Sequence, residues 1–194
     1  STMAATKYLG GHSDVMMGTV ATTEAAWRPL NERCDAFGMT VSPDDAWLEL
    51  RGMRTLSARL QVHERHALEV AHWLEARPEV ATVFCPALPQ HPGHDIWKRD
   101  CKGTNGLLSI ELQPGIDNAA VERFVDALTL FGRGSSWGGY ESLVAWTNMR
   151  AARSVTDWSG RGAVVRLHIG LEAPGDLTAD LARGFAALNA KASG

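Results

Sequence analysis

The chain has 194 residues, 45% hydrophobic and 21% charged, ordinary figures for a soluble globular protein able to bury a real core. Nineteen Lys and Arg against 22 Asp and Glu give a net charge of −3 with both signs interspersed, which argues against a nucleic-acid binder because no basic stripe faces a phosphate backbone. No apolar run approaches the roughly 20 residues that span a bilayer, so no membrane partner, signal peptide or anchor is expected, and Cys34, Cys85 and Cys101 lack paired spacing, which points to a reducing, cytoplasmic setting without disulfides or zinc.

The first informative stretch is Ala4-Ala5-Thr6-Lys7-Tyr8-Leu9-Gly10-Gly11-His12-Ser13. It sets an amine nucleophile among small and turn-forming residues. A free lysine has a pKa of about 10.4, so imine chemistry requires burial or a cationic neighbour. Val15–Val20 reads as the continuation of a sheet whose larger part lies upstream. A helix follows over Thr23–Phe37, with Pro29 marking a break or a new start. Ser42-Pro43-Asp44-Asp45 is a helix start, with serine as cap and acids at the positive end of the dipole, running to a break near Gly52.

Met53 to Ala76 is a long amphipathic helix carrying Leu56, Leu60, Ala67, Ala71 and Leu74 at helical spacing, ended by Pro78. His63 and His66, among Glu64, Arg65 and Glu69, read as part of its solvated face rather than as metal ligands; no metal is expected. Strands at Val80–Phe84, Leu107–Leu112, Leu130–Phe131 and Val164–Ile169 then alternate with helices at Asn118–Leu128 and Asp176–Leu188. This predicts an antiparallel sheet with helices on one face. Cys85–Gly106, including His91-Pro92-Gly93-His94, and Asn148–Gly162 read as loops. On the strand at 164–169, Val164, Arg166 and His168 share a face that looks toward a cleft, while Val165, Leu167 and Ile169 face the core. Arg166 offers two parallel donors suited to a carboxylate; His168 reads as a satisfied structural histidine.

Three segments resemble one family. The stretch around Lys7, Ser135-Ser136-Trp137-Gly138-Gly139-Tyr140-Glu141-Ser142-Leu143, and Arg166-Leu167-His168-Ile169-Gly170-Leu171-Glu172 are similar to signatures of the Cys/Met-metabolism pyridoxal-phosphate enzymes. The second of them resembles the cystathionine β-lyase branch. The resemblance implies an α/β fold, the carboxy-terminal half of a PLP-dependent transferase of fold type I with an α+β small domain. Residues 1–52 would end the large cofactor domain, and 53–194 would form the small domain with its linking helix.

It further implies pyridoxal 5'-phosphate as cofactor, Lys7 as Schiff-base lysine and catalytic base, and Thr6 as a ligand of the cofactor phosphate. Arg166, Ser136 and Trp137 would bind the substrate. The departure at Ala4, where many relatives carry serine, removes one phosphate contact. The implied reaction cleaves L-cystathionine to homocysteine, pyruvate and ammonia in methionine biosynthesis. The alternatives are a γ-lyase or γ-synthase of the same family, or a non-catalytic fragment. The expected partners are a small amino-acid substrate, an amino-terminal half upstream of Ser1, and further copies in a homotetramer.

Overall fold

The computed structural model describes residues 1–190, the side chains at 150 and 151 excepted. Two short strands, β1 (Thr2–Ala4) and β2 (Gly18–Val20), pair antiparallel with Met3 opposite Thr19 and enclose the turn that carries Lys7. The strand expected from Val15 begins only at Gly18. Gly11 and Ser13 adopt positive φ of 68° and 58°, so the chain is still turning there. Helix α1 (Glu24–Ala36) passes straight through Pro29 and buries none of its residues. Proline removes one ladder bond, and with no packed face to disturb the helix tolerates it. Met16, Phe37 and Met39 are 90%, 81% and 70% exposed, so this first portion presents a broad apolar surface.

Helix α2 (Pro43–Met53) starts as the sequence dictates: the Ser42 hydroxyl accepts from the Asp45 N–H at 3.0 Å. The long amphipathic pattern from Met53 is interrupted at Arg54 and Thr55 before α3 (Leu56–Glu75). The expected solvated face of α3 is corrected at two positions. His63 and His66 are buried, on the stripe that also carries Arg59, Ala67, Val70 and Leu74. Their charged neighbours in sequence lie around the helix from that stripe, and spacing of three and four, not composition, decides which face turns inward.

Strands β3 (Val80–Phe84), β4 (Leu107–Leu112), β5 (Gly132–Arg133), β6 (Leu143–Thr147) and β7 (Val164–His168) form one sheet in the order β3-β4-β7-β6-β5. All pairs are antiparallel except β5 with β6. Helices α3, α5 (Asn118–Asp126) and α7 (Pro174–Asn189) pack with the sheet around one core in which Ile110, Phe124, Leu167, Leu181 and Phe185 are fully buried. Within the expected loop of Cys85–Gly106 lies a short helix, α4 (His94–Asp100), and α6 (Met149–Ala152) opens the second irregular stretch.

The strand expected at Leu130–Phe131 falls instead at Gly132–Arg133. Asp180, buried on α7, accepts from the backbone N–H groups of Thr129, Leu130 and Phe131 at 3.0, 2.8 and 3.2 Å, so those amides are occupied before the ladder begins. Strand β6 has no counterpart among the expected elements. It places β7 in the middle of the sheet, with Arg166 opposite Ser109 of β4 and Ala145 of β6.

Candidate active site

Lys7 lies in a turn fixed from three sides. Gly10 N–H donates to Ala5 O at 3.0 Å and Gly11 N–H to Lys7 O at 2.8 Å, closing the turn on itself. From beneath, the buried Arg59 donates to Tyr8 O at 2.9 Å, Leu9 O at 3.1 Å, Gly52 O at 2.9 Å and Thr55 Oγ1 at 3.0 Å. A rigid guanidinium fork can serve several carbonyls at once. Two glycines allow the approach: a Cβ on Gly11 would sit 1.8 Å from Arg59 Nη1, and one on Gly52 2.2 Å from Gly10 O. Beside Arg59, the Glu49 carboxylate is buried with both oxygens unpartnered, and burial foremost, then Asp14, pushes its pKa up against the pull of Arg59.

The third side is the glycine-rich loop between β5 and β6. Gly138 has φ of +88°, and a Cβ there would meet Tyr8 N at 2.7 Å, so only glycine lets this loop lie against the lysine turn. The contact delivers Ser136 and Trp137 to the lysine. Lys7 Nζ donates to Ser136 Oγ at 2.9 Å and stands 4.4 Å from the centroid of the Trp137 ring. Arg166 Cζ lies 5.3 Å from the same ring, and its Nη2 donates weakly to Gly134 O and Ser136 O at 3.4 and 3.3 Å. One indole thus holds an amine and a guanidinium, both attracted to its π cloud. Outward from Arg166 opens a cleft of about 480 Å³ lined by Phe84, Ser109, Ala145, Arg153 and Trp158.

The structure therefore brings Lys7, Ser136, Trp137 and Arg166 together. Thr6 stands next to them, but its hydroxyl accepts from Met17 N–H at 2.9 Å and lies 3.2 Å from Met17 O, so its remaining capacity is one lone pair. His168 is a buried structural histidine, as the sequence reads, but the face it shares with Arg166 does not open to the cleft at its position: it is 1% exposed, beneath Gly138 and Gly139. Its ring lies 5.3 Å from His63 and 5.8 Å from Tyr8, centroid to centroid, and Tyr8 stands edge-on to His63 at 5.4 Å. Burial drives the His168 pKa down to about 4, lowers that of His63, and raises that of Tyr8 to about 12 despite the Gly106 N–H that its hydroxyl accepts. Arg59, Glu49 and the buried histidines were not singled out as site residues by the sequence. The signal for the first was the pair of glycines facing it across a turn.

An amine on a tight turn, steadied by a hydroxyl and sharing an indole with a guanidinium, is a layout for holding a carbonyl compound covalently while gripping a carboxylate nearby. These residues fit one edge of an aldehyde cofactor and its amino-acid partner. Comparison with known proteins agrees. The family model for Cys/Met metabolism PLP-dependent enzymes matches residues 1–186, and the chain belongs to that family, whose members depend on pyridoxal phosphate.

Among its relatives is the cystathionine beta-lyase of Bordetella avium, 54% identical over 185 residues, covering 94% of this chain and 46% of the relative. An L-alanine/L-glutamate racemase of Wolbachia pipientis is 40% identical over 186 residues, covering 95% and 46%. The solved cystathionine gamma synthase of Xanthomonas oryzae pv. oryzae superposes with a TM-score of 0.84 at 40% identity, covering 96% and 49%. The chain spans about half the length of the curated relatives it matches.

Proposed function

We propose that this chain is the carboxy-terminal half of a carbon–sulfur β-lyase that cleaves L-cystathionine to homocysteine, pyruvate and ammonia. Residues 1–52 end its cofactor domain, residues 53–194 form its small domain, and the complete cytoplasmic enzyme assembles as a homotetramer. The observation that carries the reading is the placement of Lys7 and Arg166 on one indole, with Ser136 on the lysine amine, within the Ser-Trp-Gly-Gly-Tyr segment.

Arg166 takes the substrate α-carboxylate, replacing its long contacts to Gly134 O and Ser136 O with two charge-assisted bonds. That fixes the Cα–H toward Lys7. Bound pyridoxal phosphate supplies an electron sink for charge developing at Cα. Lys7 Nζ, as free amine, takes the Cα proton while its hydrogen bond to Ser136 Oγ holds the lone pair in line. As the Cα–H electrons return, the Cβ–S bond breaks, and the sulfur leaves with its electron pair and takes the proton from Lys7 to give homocysteine. The three-carbon remainder hydrolyses to pyruvate and ammonia. Trp137 lies against the amine, its ring centroid 4.4 Å from Nζ, and favours the protonated form that the transfer creates.

A γ-acting enzyme is the second reading, supported by the 40% identity to the γ-synthase. Product analysis of the full-length protein separates them. Pyruvate with homocysteine supports the β-lyase; 2-oxobutyrate with cysteine overturns it.

A further inference from the structure

Every side chain given a chemical role above lies on the lysine turn, the glycine-rich loop or the face of β7 at Arg166. Under all three sits one buried polar side chain with no part in the proposed chemistry. His168 Nε2 lies 3.1 Å from Gly138 N and 3.1 Å from Gly139 O, two consecutive peptide groups of the glycine-rich loop. The Gly138 N–H is a fixed, buried donor, so a neutral ring with its proton on Nδ1 accepts from it; the other tautomer donates to Gly139 O. The nitrogen makes one of these two bonds at a time, and the ring protonated on Nδ1 is the state that holds Gly138, the residue after Trp137. Its other side touches the lysine turn through the Tyr8 ring, and Tyr8 anchors the Gly106 N–H. His63 locks the ring from α3, with its Nδ1 2.8 Å from Ile169 O, the residue after His168.

We propose that His168 is a positioning residue for the Lys7 base: it holds Gly138 against the Lys7–Tyr8 backbone and thereby sets Ser136 Oγ within hydrogen-bond reach of Lys7 Nζ. The geometry leaves little slack. Gly138 approaches Tyr8 N so closely that any side chain would clash, so the loop's depth is set from below. The same strand carries Arg166 two residues earlier, which ties the carboxylate grip and the lysine's hydroxyl partner to one rigid element. The catalytic part of this inference rests on the reading of Lys7 as the proton-moving amine.

The test uses the full-length holoenzyme and the variants His168→Leu, His168→Gln, Ser136→Ala and the His168→Leu/Ser136→Ala double. Leucine fills the volume with no polar atom. Glutamine places an amide at about the reach of Nε2 and can both accept and donate. The expected result is a fall in kcat of roughly tenfold for His168→Leu with KM changed less than about threefold, since the loss falls on proton transfer rather than carboxylate binding. His168→Gln returns to within about threefold of the parent. In the double variant the His168→Leu effect disappears, because the bond it acted through is already gone.

A crystal structure of His168→Leu, which needs no substrate, is expected to show Ser136 Oγ beyond 3.5 Å from Lys7 Nζ. Additive losses in the double variant, a folded His168→Leu with unchanged kcat, or an undisturbed Ser136–Lys7 bond each overturn the proposal. If His168→Leu does not fold, His168→Gln decides by itself: activity kept within threefold with the Ser136–Lys7 bond intact supports it, and a larger loss overturns it. Should the parent enzyme leave cystathionine untouched, the function reading fails while the crystallographic distance still judges His168.

Discussion

Replacing Arg59 by leucine removes the largest single set of contacts under the lysine turn. Three backbone carbonyls, Tyr8 O, Leu9 O and Gly52 O, and the Thr55 hydroxyl lose their donor at once. The site is buried, Arg59 being 7% exposed, so water replaces these bonds only in part. At a net loss of about 1 kcal/mol for each abandoned carbonyl, the packing of the turn against α2 and α3 is weakened by about 3 kcal/mol. Tyr8 O and Leu9 O lie within residues 5–11, so about 2 kcal/mol of that loss falls on local opening of this turn, whose amides are held by Ala5 O and Lys7 O.

Native-state hydrogen exchange reads this directly. An opening free energy lower by about 2 kcal/mol raises the exchange rates of the Gly10 and Gly11 amides by about 30-fold. Arg59→Lys, a charge without the fork, should recover less than half of the lost free energy. The measurement is made on the full-length protein, comparing these amides with those of Leu167 and Leu181 in the core between the sheet and its helices. Acceleration of less than about threefold in Arg59→Leu would refute the assignment of the turn's rigidity to this side chain.

Other expectations follow from individual residues. Gly52→Ala reverses the usual helix preference: alanine normally gains about 1 kcal/mol inside a helix, yet here a Cβ meets Gly10 O at 2.2 Å, so both the urea midpoint and activity should fall. Gly38→Ala, with φ of +63° and open space around it, should cost only about 1 kcal/mol and leave activity intact. For pH, His168 has a folded pKa of about 4 against an ordinary 6.5, so the unfolded chain takes up the proton first. Stability is therefore full above roughly pH 6.5 and declines as pH falls toward 4, by on the order of 3 kcal/mol for this ring, with His63 acting in the same direction. Urea midpoints between pH 4.5 and 7.5 should show a shallower slope for His168→Gln; parallel curves would contradict it.

The candidate site was largely legible because its residues lie in short contiguous runs. Lys7, Ser136, Trp137 and Arg166 each sit in a stretch whose residue order singled them out as candidates, and the structure brings all four to one place. What supports them was not legible, since support is a matter of which side of an element faces inward. His63 and His66 lie among charged residues in sequence but on the apolar stripe of α3 in space. His168 alternates correctly with Arg166, but the strand pattern stops short of showing that Gly138 and Gly139 fold over its end. Strand β6 follows the glycine-rich loop without a break, and its unbroken run Leu143-Val144-Ala145-Trp146 lacks the alternation that marks a half-buried strand. Helix α4 hid behind Pro92 and Gly93, residues that announce a turn and in fact precede a helix start.

The proposed chemistry requires the Lys7 amine as the attachment point for pyridoxal phosphate and the base of the reaction. The most direct check is to load the full-length protein with the cofactor, reduce it with borohydride, digest it and map the pyridoxyl group by mass. The account predicts the label on the peptide carrying Lys7, lost in Lys7→Ala together with cystathionine cleavage. A label on any other lysine, or cleavage that survives in Lys7→Ala, would contradict it.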